Sequence, residues 1–248
     1  MRILLLNPNT TGAITGLLHA AALKAAAPDV TIDAITAERG LPYISTRTEE
    51  AIAAVATLEM LARHHAGYDA AIIAAFGDPG LWAAKELYDI PVVGLAEASM
   101  LSACALGRRF GIVTFAHDLG DWYEDSVRRE RMEARCAGIR SLDEPFAAVS
   151  DVQREKHDKL VELAMAAVEE DGADVVIIAG APLAGLAEQV KAQVPVPLVD
   201  CCMAAVVQAT GAVRLGTLKA TRGSGRRPAP KPSTGLDARL AARLSGEA

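Results

Sequence analysis

No apolar run in this chain approaches the ~20 residues that a membrane-spanning helix needs, although 51% of its 248 residues are hydrophobic. A membrane is therefore not expected among its partners. The opening Met1-Arg2-Ile3-Leu4-Leu5-Leu6 gives way to polar Asn7-Pro8-Asn9 too soon for a signal peptide, so a cytoplasmic location is expected. Cysteine is sparse. Cys104, Cys136, Cys201 and Cys202 show neither CxxC spacing nor a disulfide framework, and reduced thiols are the default. The adjacent Cys201 and Cys202 are too close for ordinary disulfide geometry and read as two small buried residues. An excess of positive charge is missing too: 25 Lys and Arg stand against 31 Asp and Glu, a net charge of −6. That balance gives no general attraction for nucleic acid or an anionic surface. No His, Cys and carboxylate cluster has metal-ligand spacing, and no metal is expected. A small-molecule substrate is the partner left.

What is present is a repeat. Ala70 to Ala75 is a continuous apolar run, a buried strand, stopped by Phe76-Gly77-Asp78-Pro79-Gly80 and followed by a helix from Leu81. About a hundred residues on, Asp174 to Ala179 is a second such run, followed by Gly180-Ala181-Pro182-Leu183-Ala184-Gly185 and a helical stretch from Leu186. Each copy leads to a short strand entered through proline, Ile90 to Gly94 and Val196 to Asp200. The order strand, turn, helix, proline-led strand thus occurs twice, which predicts an α/β protein of two pseudo-symmetric lobes. Each lobe is a mostly parallel sheet flanked by helices, with a ligand cleft between them. Residues 1–97 with 200–218 are assigned to lobe 1 and residues 98–199 to lobe 2.

Taken in order, Ile3 to Leu6 is a first buried strand whose C-terminal end meets Asn7-Pro8-Asn9-Thr10-Thr11-Gly12. Ligands of open α/β sheets bind at such edges, so Asn9 and Thr10 are candidate contacts; a plain helix cap is the competing reading. Tyr43 and Ser45 sit in a loop placed to close over a pocket. Glu97 follows the strand Ile90 to Gly94 and is either a buried acid, a ligand contact or a helix-terminal cap. The strand Phe110 to Phe115 ends at Ala116-His117-Asp118, where His117 would be useful for proton transfer or is merely solvated. Leu119 to Cys136 reads as a charged amphipathic helix and Val152 to Glu170 as one long helix. From Lys219 the sequence Thr221-Arg222-Gly223-Ser224-Gly225-Arg226-Arg227-Pro228 cannot bury a core, so residues 219–248 are read as a basic flexible tail with a short terminal helix over Leu236 to Leu244.

These residues together resemble the aspartate/glutamate/hydantoin racemase superfamily, nearest its hydantoin and allantoin racemase branch. The resemblance runs from Met1 to about Leu218. It is carried by Asn7-Pro8-Asn9-Thr10-Thr11, Phe76-Gly77-Asp78-Pro79-Gly80, Gly111-Ile112-Val113-Thr114, Gly172-Ala173-Asp174 and Pro197-Leu198-Val199-Asp200. It implies two similar lobes with the ligand between them, catalysis without a cofactor, a homo-oligomeric assembly, and one cysteine from each lobe on either face of the substrate's chiral carbon. Those two cysteines fall at Ala75 and Gly180, and neither residue carries a transferable proton. Two-thiol racemisation is therefore predicted to be absent.

The resemblance further implies substrate contacts at Asn9, Thr10, Phe76, Thr114, Gly180 and Ala181, and removal of both thiols is expected to enlarge the space beside Ala75. The leading expectation is hydrolysis or desulfurisation of a hydantoin-like or thiohydantoin ring acid, with Asp78, Glu97, His117 and Cys202 as acid, base or nucleophile. The alternatives are a hydantoin, allantoin or amino-acid racemase with other bases, and a non-catalytic module that binds a small carboxylate or ureide.

Overall fold

A computed structural model of the chain describes residues 1–145 and 147–247. Lobe 1 opens with β1 (Arg2–Asn7), α1 (Gly12–Ala25), β2 (Thr31–Thr36) and α2 (Arg47–His64). It continues with β3 (Ala70–Ile73), α3 (Leu81–Leu87) and β4 (Val92–Gly94), after which α4 (Leu95–Leu106) leads into the second lobe. Lobe 2 comprises β5 (Phe110–Thr114), α5 (Leu119–Arg129), β6 (Cys136–Ser141), α6 (Val152–Glu155) and α7 (His157–Glu169). It closes with β7 (Val175–Ile178), α8 (Leu186–Val190) and β8 (Leu198–Asp200), and α9 (Cys201–Leu215) and α10 (Ala238–Ser245) follow.

Both sheets are fully parallel and have the same strand order, β2-β1-β3-β4 and β6-β5-β7-β8. Helices cover both faces, so the central strands read as unbroken apolar runs rather than alternating ones. Ile3 to Leu6, Ala70 to Ile73 and Val175 to Ile178 are accordingly all at or below 1% exposure. Leu5 pairs with Ala34 on one side and Ile72 on the other, and Ile112 with Ile139 and Ile177 at the matching place in lobe 2. The lobes exchange helices. After β4, α4 packs against β5, β7 and β8 of lobe 2, while after β8, α9 returns to pack on α1, α4 and β3. One buried cluster consequently runs through both lobes.

Local chemistry explains the boundaries. Thr46 and Glu49 form a reciprocal capping box that starts α2. Helix α5 ends at Arg129, short of the expected Cys136, because Arg131 takes a positive φ of 55° and Cys136 already belongs to the edge strand β6. The single long helix expected over residues 152–170 is broken at Lys156 into α6 and α7.

The C-terminal segment differs most from the sequence reading. A mobile linker is expected from Lys219; instead the segment lies along lobe 1, and α10 packs on α2. Leu240 is buried, Asp237 caps α10 and pairs with Arg63, Arg227 pairs with Asp89, and the Arg243 guanidinium stands 5.1 Å from the Tyr88 ring centroid. The Arg-rich composition that suggested a solvated tail supplies its docking contacts. Leu240→Ala should cost about 2–3 kcal/mol and open residues 222–227 to trypsin; an unchanged cleavage rate would show that α10 does not hold the segment down.

Candidate active site

The C-terminal ends of β1, β3, β5 and β7 face one another across the lobes, and the residues just beyond them enclose a cleft. Asn9, Tyr43, Ala75, Phe76, Gly180 and Ala181 line it together with Ile44, Phe115, Leu119, Trp122, Tyr123 and Pro182. Five of the chain's ten aromatic residues gather here. The Phe76 and Tyr123 ring centroids are 4.6 Å apart, Tyr43 and Phe115 5.8 Å, and Trp122 and Tyr123 5.8 Å. Among the described residues the lining contains no charged side chain.

The space left is about 20 Å³, room for about one water. On the Gly180 side, the room that a missing side chain would leave is taken by lobe 2 aromatics. Gly180 has φ 116°, and a Cβ there would lie 2.8 Å from Phe115 Cε1 and 3.5 Å from the Tyr123 hydroxyl. Gly77 has φ 111°, and a Cβ there would collide with the Trp122 ring.

Each lobe leaves backbone donors unpaired in the turn beside the cleft. The N–H groups of Ala75, Phe76 and Gly77, and those of Gly180 and Ala181, find no acceptor among the described residues. Two turns of free N–H groups suit a carbonyl or oxyanion oxygen. Asn9 is held from behind: its Oδ1 accepts from Asn7 Nδ2 at 3.0 Å and from Thr11 N at 2.9 Å, while Asn7 Oδ1 accepts from Asn9 N. Its Nδ2 is left without a protein acceptor among the described residues. Thr10 donates its N–H to Leu41 O and stays outside the lining; Thr114 is buried beside the Tyr123 hydroxyl.

The four acid, base or nucleophile candidates do not meet in the cleft. Asp78 is a buried cap: Oδ1 accepts from Ala96 N at 2.9 Å and Oδ2 from Glu97 N at 2.8 Å, at the N-terminus of α4. Gly94 makes this approach feasible, since any Cβ there would fall on the Asp78 carboxylate. Burial raises the Asp78 carboxyl from 3.8 to about 7. Asp200 does the same work in lobe 2, accepting from Cys202 N and Met203 N at the start of α9 and from Gly185 N. Glu97 turns away and pairs with Lys85. His117 is exposed and lines, with Ser45, Arg47, Asp121 and the outer edge of Trp122, a separate open recess of about 450 Å³. Ser45 binds Glu49, next to the α2 cap. Cys202 is sealed against Leu18, its Sγ donating to the carbonyl oxygen at 3.2 Å, and burial pushes its thiol up.

Tyr123 and Trp122 escaped the sequence reading. Only their adjacency in a chain poor in aromatics, on the helix that follows β5, could have marked them. Burial, with Tyr43 nearby, holds the Tyr123 hydroxyl well above its ordinary value of 10. Helix α5 keeps both residues in place through contacts to lobe 1: Arg129 donates to Gly77 O at 2.5 Å and pairs with Glu50, and Arg47 pairs with Asp125 at 2.5 Å. These ion pairs are partly or largely exposed, so solvent screens them and they hold α5 weakly.

Among the described residues no group of three or more His, Cys, Asp or Glu is placed to hold a metal ion, and no helix is long and apolar enough to cross a membrane.

A family model described as Asp/Glu/Hydantoin racemase matches residues 3–209. The hydantoin racemase of Paenarthrobacter aurescens is 34% identical over 233 residues, covering 93% of this chain and 99% of that one. The hydantoin racemase of Pseudomonas sp. (strain NS671) is 34% identical over 220 residues, 87% of each chain. The solved structure of the allantoin racemase from Klebsiella pneumoniae superposes with a TM-score of 0.91 at 35% identity, covering 97% of this chain and 98% of that one.

The Asp78 geometry has a pH consequence. Between about 4 and about 7 the unfolded carboxyl is ionised while the folded one stays protonated, so Asp78 lowers stability progressively as pH rises through that window. The thermal midpoint of the parent should fall relative to that of Asp78→Asn between pH 4 and 7 and run parallel above it; parallel curves throughout would contradict the sealed carboxyl.

Proposed function

Because the chain belongs to the Asp/Glu/hydantoin racemase family, we propose that its cleft binds a neutral hydantoin- or allantoin-type ring. It inverts the ring carbon through an enolate, with the Tyr123 phenol serving one face and water the other. The observation that carries this reading is the Tyr123 hydroxyl, 3.5 Å from the Cβ that Gly180 lacks, where the family resemblance places the second thiol. The uncharged lining supports the substrate class. An amino-acid zwitterion or a dicarboxylate brings charges that this lining cannot pair, whereas a cyclic ureide is neutral and rich in carbonyl oxygens.

The chemistry follows from the groups present. With α5 swung outward, a flat ring enters between Ala75 and Gly180 and its carbonyl oxygen meets the free N–H groups of the two turns. The Tyr123 phenolate takes the proton from the ring carbon, and the electron pair moves into the carbonyl to give an enolate that those N–H groups stabilise. Water on the Ala75 side returns a proton to the opposite face, and the hydroxide so formed takes the proton from Tyr123. The high affinity of Tyr123 for its proton makes phenolate scarce at neutral pH but a strong base once formed, closer in strength to the carbon acid it must deprotonate.

Hydrolysis and desulfurisation lose support on the same geometry. Asp78 is used up as a helix cap, Glu97 is paired with Lys85, His117 lies in the outer recess and Cys202 is sealed. None of these four side chains is placed to activate a water beside the ring.

Deuterium uptake at the ring carbon of a single-enantiomer 5-substituted hydantoin, measured in heavy water, tests the proposal. Tyr123→Phe keeps the packing and should lower the exchange rate about a hundredfold. The parent-to-variant ratio, from which substrate ionisation cancels, should keep rising past pH 10, because burial holds the phenol above its ordinary value. A Tyr123→Phe chain that exchanges at the parental rate would remove the phenol from the mechanism.

A further inference from the structure

Trp122 lines the cleft and takes no part in the proton transfer above, yet its buried indole N–H is unsatisfied among the described residues. The side chain is 2% exposed, and Nε1 has no acceptor among the described residues. The other tryptophan differs: Trp82 is half exposed and donates to Glu130 at 3.2 Å. Buried donors are almost always paired, and leaving one without an acceptor is unfavourable. If Trp122 only filled space, a phenylalanine would do so without that penalty. The chain instead keeps an indole and gives up every side chain at position 77 to seat it, since a Cβ on Gly77 would come within 2.8 Å of Cη2 and nearer still to other ring atoms.

Resting on the ring-binding reading, the geometry points to Trp122 as a specificity-determining donor that takes the second carbonyl oxygen of the bound ring. A hydantoin carries two carbonyls flanking one ring nitrogen. The N–H groups of the turns at Ala75–Gly77 and Gly180–Ala181 serve the carbonyl next to the carbon that is inverted. The other carbonyl, between the two nitrogens, then meets the Trp122 N–H. The site would select cyclic ureides with oxygen at that carbon over their 2-thio analogues, because sulfur is the weaker acceptor, and over imidazolidin-4-one, which has a methylene there and leaves the donor unpaired. Discrimination of this kind arises when a site built for a polar contact is offered a ligand without it.

The chain has only two tryptophans, so Trp82→Phe leaves Trp122 as its sole indole fluorophore without touching the cleft. In that variant, titration with hydantoin should change the Trp122 emission, with an apparent Kd about tenfold below that for imidazolidin-4-one and with 2-thiohydantoin between them. In an otherwise parental chain, Trp122→Phe should raise the KM for ring-carbon exchange of hydantoin about tenfold, leave kcat within about twofold and leave the KM for imidazolidin-4-one unchanged. The emission measurement stands by itself should Trp122→Phe not fold. Equal affinities for the three rings, or exchange that proceeds while the Trp122 emission stays constant, would overturn the assignment and leave the ring-binding reading intact. No response and no exchange with any ring would overturn both.

Discussion

The cleft depends on how closely α5 and the end of β5 approach two glycine positions. The indole of Trp122 lies on Gly77 in lobe 1, and Phe115 with the hydroxyl of Tyr123 stands where a side chain at residue 180 would project. Both glycines have positive φ, so their turns fold back and present N–H groups to the space between the lobes. A side chain at either site would strain the turn and push the aromatic away. Thiols at the positions suggested by the family pattern and this aromatic lining are thus sterically opposed at residue 180, while Ala75 meets no such barrier.

Electrostatics divides the polar residues into those that build the cleft and those that face a ligand. Asp78 from the turn after β3 and Asp200 from the end of β8 each tie the turn after a central strand to the N-terminus of the helix that crosses to the other lobe. Their carboxylates are spent on backbone donors, and burial raises the proton affinity of both. The Asn7–Asn9 network does similar work at the end of β1. What remains for a ligand is a set of neutral donors and aromatic faces.

Much of this architecture was legible in the sequence. Apolar runs at Ile3–Leu6, Ala70–Ala75 and Asp174–Ala179 marked buried strands, and the repeated strand–turn–helix order pointed to two lobes, because the signals are local. The cleft was legible on its backbone side: Asn9, Ala75, Phe76, Gly180 and Ala181 follow strand ends, and strand ends converge in such sheets. The side-chain half was not. Trp122 and Tyr123 lie on a helix whose charged periodicity announces only a solvated face, and their contact with Gly77 and Gly180 is set by how the lobes meet. Glu97, His117 and Cys202 stood near strand ends as well, but one turn of helix or loop aims each of them elsewhere. The C-terminal segment misled because composition reports solvation, whereas its arginines and Leu240 dock through specific partners on α2 and Tyr88.

A cleft that works without thiols can be tested by removing every thiol. Ring-carbon exchange by a chain in which Cys104, Cys136, Cys201 and Cys202 are all replaced by alanine, with its fold checked by circular dichroism, should proceed within about twofold of the parental rate. Disappearance of exchange from that folded, cysteine-free chain would contradict the phenol-based chemistry and return proton transfer to a sulfur atom.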